Sequence, residues 1–349
     1  MMKEDSNGIV FIAIYVDDCL LVGDQAAIDA TVEGLKKHGF KLKEDGSLLD
    51  YLSCEVTFAK NGKEGWIHQP HLIKNLEKKF GPIVEKMQKY GTPGTPQGII
   101  VRDEKSTMSK EDQKLYRSGV GMLLYLVKHS RPDIANAVRE LLKALDGVTP
   151  HAMQELKRVI KFMIDTKDLA LHVNPTEKLL EYWTMVAFSD SDYGTDPVKR
   201  ISISGYVLYL MGVPICWRSK GQKSITLSST EAEYIAMSEC AKEIKFVHQL
   251  LTSMGIVVKS PIVVRVDNIG AIFMGENISI SQRTKHVDIR AKFVTEMIID
   301  GFLKVIFVKS EENDADLFTK NLPGELHHKH SGKLVGTKGK QLKEIRAEK

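Results

Sequence analysis

The sequence predicts a mixed α/β protein, and three observations carry that expectation. From about Tyr182 onward, apolar runs of strand length alternate with stretches of helical spacing in the order β-β-β-α-β-α-β-α, the pattern of a mixed sheet with flanking helices. Ile262-Val263-Val264-Arg265-Val266 is nearly continuously apolar, as a strand covered on both faces would be. Between Ser228 and Met254 the apolar residues recur at helical intervals, and Gly255 supplies a natural C-terminal stop.

The elements follow in order. Residues 9–23 read as a β-hairpin, two runs rich in β-branched residues flanking Asp17-Asp18 and closing at Gly23-Asp24. The dense run Ile9–Val16 starts only a few residues after Met1, with no preceding element expected to pair with it, and so looks like the middle of a domain. Ala26–His38 has helical spacing, Leu52–Phe58 reads as a strand, Asn61-Gly62 as a hairpin turn and Gly65–His68 as the returning strand. His71–Phe80 reads as a short basic helix. Gly91–Lys105, rich in Gly, Pro and Thr, is the best linker, and helices are expected at Glu111–Val127, Asp133–Leu145 and His151–Thr166. In the second half Trp183–Phe188, Ser204–Leu210, Ile215–Arg218 and Ile225–Leu227 read as strands. The long helix follows, then Ile262–Val266, a helical stretch, a strand at Phe302–Val308 and a short helix from about Asn313. Beyond Glu325 a tail rich in His, Lys and Gly is expected to be unstructured.

Bulk properties set the frame for function. A chain of 349 residues with 43% hydrophobic composition can bury two or three cores. Both charge signs are mixed and leave +4, which is compatible with a polyanionic partner without requiring one. Cys19, Cys54, Cys216 and Cys240 are far apart and form no CxxC pair, which argues against a zinc knuckle or a disulfide framework and for a reducing compartment, cytosol or nucleus. The longest apolar run, Ile9–Val16, is far short of a membrane span, so no membrane partner is expected.

Four acidic residues stand where chemistry would place them. Asp190 closes the first apolar strand of the second half and Asp267 the most buried-looking one, the ends at which open α/β sheets hold their ligands. Either alone would read as a turn or cap residue. Helical periodicity separates Glu231 from Glu233. From Glu233 the apolar stripe runs through Ala236, Met237, Cys240, Ile244, Val247 and Leu251, whereas Glu231 shares its face with Ser238, Lys242, Lys245 and Gln249 and has Ser228 as a capping-box partner. A carboxylate on a core-facing stripe with no basic neighbour is costly to desolvate, and a metal ion would compensate it. Asp316, in Glu311-Glu312-Asn313-Asp314-Ala315-Asp316-Leu317, reads equally as a fourth ligand or as one more acid at a helix start, and the second reading suits Glu311, Glu312 and Asp314. Oxygen ligands without His or Cys select magnesium, with manganese as the substitute, over zinc, and call for no small-molecule cofactor. The matching chemistry is a two-metal hydrolysis of a phosphodiester.

A series of strings then points to a family. Ser189-Asp190-Ser191-Asp192-Tyr193-Gly194, Ser204-Gly205-Tyr206, Leu227 through Tyr234, Val266-Asp267-Asn268, Arg283 through Arg290 and Ala315-Asp316-Leu317-Phe318-Thr319-Lys320 together resemble the ribonuclease H domain of copia-type retrotransposon Pol polyproteins. The resemblance implies an RNase H-like five-stranded mixed sheet, with catalytic and metal-holding acids at Asp190, Glu233, Asp267 and Asp316, and an RNA–DNA hybrid as substrate. Tyr15-Val16-Asp17-Asp18 resembles the reverse-transcriptase YVDD hairpin, so Asp17 and Asp18 are expected to be a polymerase remnant. Tyr116 through Leu126 and Arg131-Pro132-Asp133-Ile134-Ala135 resemble the segment before the nuclease.

The implied layout is a truncated palm over 1–90, a mainly helical thumb and connection over 91–178, the nuclease over 179–325 and a basic tail over 326–349. A polymerase site needs a further aspartate upstream of YVDD, so polymerase activity of this chain alone is not expected, and a partner reverse-transcriptase chain would have to supply it. Lys220, Lys223, Arg283, Lys285, His286, Arg290 and Lys292 are candidate phosphate contacts, with a solvated basic surface as the competing reading. Some RNase H enzymes carry a mobile His before the last aspartate; Lys309-Ser310-Glu311-Glu312 stands there instead. The alternative function is a catalytically silent remnant that only binds nucleic acid.

Overall fold

Strands β1 (Met2–Asp5), β2 (Gly8–Tyr15) and β3 (Asp18–Gly23) form an antiparallel sheet in that order. The run Ile9–Val16 therefore has an N-terminal neighbour, contrary to the sequence expectation. Met2–Asp5 lacks strand-like apolar alternation, yet it pairs through its backbone with Phe11 to Gly8. The computed structural model describes residues 1–43, 51–60, 62–105, 108–176, 182–276 and 285–337, and of residues 285–291 the backbone only.

Helix α1 (Gln25–Lys37) follows, then the hairpin β4 (Glu55–Phe58) and β5 (Gly65–His68), whose expected turn residue Asn61 lies outside the described residues. Helix α2 (Pro70–Val84) is longer than expected, because Ile73, Leu76, Phe80 and Val84 continue one buried face. Helix α3 (Lys110–His129) starts at Ser109, whose hydroxyl accepts the Asp112 amide hydrogen at 3.0 Å. The expected helix at 133–145 is divided into a 3-10 turn at Pro132–Ile134 and helix α4 (Ala135–Leu142), after which α5 (Pro150–Asp165) is capped by Thr149. Helices α2 to α5 share a core that includes Phe80, Tyr116, Leu123, Leu141, Leu156 and Ile160. Each such buried side chain contributes about 1.5–3 kcal/mol.

Strand β6 (Leu169–Val173) leads to the second half: β7 (Met185–Asp192), β8 (Ile203–Leu210), β9 (Val213–Gly221), α6 (Ser229–Ser253), β10 (Ile262–Val266), α7 (Ile269–Glu276), α8 (Lys285–Ile299) and β11 (Leu303–Phe307). Two 3-10 turns, Ser310–Glu312 and Asp314–Phe318, precede α9 (Gly324–Ser331) and β12 (Val335–Thr337). The five central strands are ordered β11-β10-β7-β8-β9, with β10 parallel to both its neighbours and β8 antiparallel to both of its own. This is the RNase H-like mixed sheet. One face carries α6, whose Met237, Cys240, Ile244 and Val247 pack on Met185, Ala187, Leu208 and Val264. The other is covered by Phe318, Leu322, Leu334 and Ala135 over Phe188, Val207 and Tyr209.

Two further expectations are corrected. Ile225–Leu227 is not a strand. Ile225 and Leu227 are exposed, while Thr226 turns inward to the Ser202 hydroxyl at 2.8 Å, so the segment only delivers the chain to the α6 cap. The tail from 326 is structured as far as Thr337. His327 and His330 bury their rings, and β12 pairs with β6 in a second sheet ordered β12-β6-β5-β4. Its polar composition suggested solvation, but each ring has one nitrogen bonded, His327 Nε2 to the Asp133 carbonyl and His330 Nδ1 to Asp314, and an imidazole so held can be buried like an aromatic ring. Residues 338–349 lie outside the described residues. Among the described residues no helix is long and apolar enough to cross a membrane.

Candidate active site

Because β7 and β10 are adjacent and parallel, their carboxyl ends share one edge of the sheet, and this brings Asp190, near the end of β7, beside Asp267, which follows β10. Asp316 arrives on the 3-10 turn. That turn is anchored by Asn313, whose amide donates to the Ser189 carbonyl at 3.0 Å while its side-chain oxygen accepts the Ala315 amide hydrogen at 3.1 Å. Behind it the buried Asp314 carboxylate accepts from the Tyr209 hydroxyl at 3.0 Å and from the Lys333 ammonium at 2.6 Å, and pairs with the His330 ring at 2.9 Å. Asp314 stands at the helix start as the sequence suggested, and is in addition a buried anchor. Oxygen atoms of Asp190, Asp267 and Asp316 lie within 4.8 Å of one another.

Glu233 comes from the first turn of α6. Ser228 accepts the Glu231 amide hydrogen at 3.1 Å and Glu231 accepts the Leu227 amide hydrogen at 2.7 Å, so Glu231 is spent on the cap. Glu233 is only 6% exposed. Its Oε1 accepts both the amide and the hydroxyl of Ser191 at 3.0 Å, and among the described residues its buried Oε2 has no hydrogen-bond partner. Burial first, and then the Asp267 charge, push the Glu233 carboxyl up to about 8 against the Ser191 hydrogen bonds. Burial likewise holds Asp190 well above the ordinary carboxylate range, aided by the charges of Asp316, Glu233 and Asp267 and opposed by Lys320.

An orphaned buried oxygen, crowded carboxylates and an all-oxygen donor set fit a hard divalent cation. Such a cation would be held by Asp190, Asp267 and Asp316, with Glu233 at the margin.

No protein-family model matches the chain. It is 30% identical over 322 residues to the retrovirus-related Pol polyprotein from transposon TNT 1-94 of Nicotiana tabacum, covering 91% of this chain and 24% of that protein. It is also 30% identical over 333 residues to the Pol polyprotein from transposon RE1 of Arabidopsis thaliana, covering 95% of this chain and 22% of that one. The chain is thus a homologue of one part of the transposon Pol polyproteins. It spans about a quarter of the length of these curated relatives. Among solved structures it is similar to LC11-RNase H1 in complex with RNA/DNA hybrid, at 12% identity and a TM-score of 0.31, over 39% of this chain and 93% of that one.

The site holds one residue that sequence reasoning passed over. The Lys320 ammonium sits 3.0 Å from Asp316 Oδ1 and 3.4 Å from Asp190 Oδ2. Burial would lower its pKa, but the Asp190 and Asp316 carboxylates prevail and raise it above the ordinary lysine value. The signal was present in the motif Ala315–Lys320: a lysine four residues after an acid is placed to meet it. The Thr319 hydroxyl donates to Asp190 Oδ2, and the Ser310 hydroxyl to Asp267 Oδ2 at 2.7 Å. In the segment Lys309–Glu312 it is therefore a serine that touches the cluster, while Lys329 ties the same segment down through the Glu311 carbonyl at 2.6 Å.

The remaining candidates are placed unevenly. Lys220 and Lys223 line a cavity of about 380 Å³ together with Arg218, Gln222 and Lys242. Arg283 lies outside the described residues; Lys285, His286 and Arg290 belong to α8, but their side chains are not described. Lys292 is exposed and pairs with Glu296 at 3.7 Å. Asp17 and Asp18 stand exposed at the β2–β3 turn, and among the described residues no third metal-ligating side chain joins them. None of the four cysteines is joined in a disulfide.

Proposed function

We propose that this chain is a ribonuclease H that hydrolyses the RNA strand of an RNA–DNA hybrid, with residues 179–325 as the nuclease and 1–90 and 91–178 as palm-like and connecting parts. The observation that carries the reading is the convergence of Asp190, Asp267 and Asp316 within 4.8 Å at the carboxyl edge of a mixed sheet, with the unpartnered Oε2 of Glu233 beside them.

The four carboxylates would hold magnesium, or manganese in its place. When bound, the ions supply activation of the attacking water and charge neutralisation at the leaving 3′ oxygen. The protein's own part is to keep the ligands rigid before substrate arrives. Ser191 fixes one oxygen of Glu233, Ser310 one oxygen of Asp267 and Thr319 one oxygen of Asp190, so three of the four carboxylates are each oriented by a hydroxyl. Discrimination of RNA from DNA would come through the 2′-hydroxyl, and the Lys220–Lys223 cavity offers phosphate contacts beside the site. No polymerase step is assigned to Asp17 and Asp18.

Cleavage of a labelled RNA–DNA hybrid by the full chain in magnesium tests this. Wild type cuts only the RNA strand, and Asp267→Asn reduces cutting to background. Hybrid binding without cleavage would instead establish a silent, nucleic-acid-binding chain, and equal cutting by both proteins would remove the proposed site.

A further inference from the structure

We propose that Lys320 is the resident counter-cation of the carboxylate cluster, and that a divalent metal ion must displace its ammonium to bind. The inference rests on the reading of the cluster as a metal site. Among the described residues Lys320 makes both ion pairs to Asp190 and Asp316. The neighbouring ammonium groups are committed elsewhere, Lys333 to Asp314 and Lys329 to Glu312.

Like charges this close, with Asp190 only 1% exposed, repel strongly in a poorly solvated site. One ammonium offsets part of that repulsion, so the cluster keeps its geometry without a metal. The Lys320 side chain is 37% exposed and ends a flexible four-carbon stem, so its head is free to swing away. Its backbone stays put. Thr319 is bonded to Asp190 on one side. On the other, Asn321 donates to the Gly98 carbonyl at 3.1 Å and accepts from the Asn136 amide at 2.9 Å. A hard cation held by the Asp190 and Asp316 carboxylates would have to share with the ammonium the oxygens that it now touches, at 3.4 and 3.0 Å. Metal and lysine therefore compete, and the lysine lowers the apparent metal affinity by the fraction of time it holds the site.

The expected size follows from that competition: an ammonium seated nine-tenths of the time weakens apparent affinity about tenfold. The test is titration of the full chain with Mn²⁺, followed by electron paramagnetic resonance, alongside melting curves in chelator and in saturating Mg²⁺. Lys320→Met and Lys320→Gln should bind Mn²⁺ roughly tenfold more tightly than wild type. Both should also melt at lower temperature in chelator, with the difference closing in Mg²⁺. A neutral variant that folds only when metal is added meets the same expectation. Lys320→Arg, which keeps the charge, should stay near the wild-type affinity. Equal or weaker Mn²⁺ binding by both neutral variants overturns the proposal. Failure of the wild type and every variant to take up Mn²⁺ is a different result, because it removes the metal site itself.

Discussion

Gly205 stands opposite Asp190 in the β7–β8 pairing, and the space left by its missing side chain is filled by the turn that carries Asp316. A Cβ at this position would meet Thr319 Cγ2 at 2.7 Å, Phe318 Cβ at 2.9 Å and the Ala315 carbonyl oxygen at 3.1 Å. Two of those contacts belong to the side chains of the turn and one to its backbone, so the turn would have to move as a unit. Gly205→Ala should cost about 1–3 kcal/mol of stability and should lower hybrid cleavage by displacing Asp316 and Thr319. Urea unfolding and a cleavage assay on the same sample check both effects; cleavage at the wild-type rate would show that the turn tolerates the shift.

Glu231 and Glu233 are two residues apart and should respond oppositely. Glu233→Gln keeps the volume and the Ser191 contacts but replaces a carboxyl oxygen, without a partner among the described residues and able to ligate a cation, by an amide, so hybrid cleavage should fall sharply while the fold is retained. Glu231→Gln touches only the exposed helix cap, so it should cost under about 1 kcal/mol and leave cleavage in place. Circular dichroism melts paired with cleavage rates separate the two.

Arg131 is fully buried and holds Asp133 through two hydrogen bonds at 2.8 and 2.7 Å, with Thr166 completing its shell. Asp133→Ala would leave an uncompensated guanidinium in the helical half, and the expected loss is about 3–5 kcal/mol. Chemical denaturation measures it; a loss below about 1 kcal/mol would mean that Arg131 finds another partner or reaches water.

His327 joins the C-terminal helix to the helical half, with its Nε2 at 3.1 Å from the Asp133 carbonyl and its ring edge-on to Phe162. Burial, the leading cause, holds its pKa below the ordinary 6.5, with Arg131 and His328 adding to the effect and Asp133 opposing it. The unfolded chain therefore takes up a proton near pH 6.5 that the folded chain refuses until a lower pH. Stability from this group is complete above pH 6.5 and is lost as pH falls through the window beneath it. His129, also lowered by burial, acts with the same sign. His327→Gln should flatten the decline of unfolding free energy between pH 7 and 5, by at most about 1.4 kcal/mol per pH unit. Urea titrations at stepped pH provide the measurement, and an unchanged slope would assign the decline to other groups.

Much of the local structure was legible because it is periodic. The apolar stripe of α6 distinguished Glu233 from Glu231, and the capping box at Ser228 and Glu231 is formed as its spacing required. Ile262–Val266 is a central strand, as its continuous apolar character implied. Local patterning failed where a segment's fate depended on a distant one. Ile225–Leu227 has strand-like residues but gains no partner strand, whereas Met2–Asp5 has few and gains one. Residues 335–337 became a strand only because β6 offers them an edge.

The sequence by itself determined the α/β class, the face on which each acid of α6 lies, and the four carboxylates worth testing, because those follow from side-chain period and chemical type. Only the tertiary structure decided that β10 lies beside β7, which brings Asp267 to Asp190, and that Asn313 ties the last turn to Ser189, which brings Asp316 to both. It alone brought Lys320 to Asp190, buried Asp314 against Tyr209 and buried His327 against Asp133. These contacts join segments up to about two hundred residues apart, and burial at such range depends on how the whole chain packs, which no local period encodes.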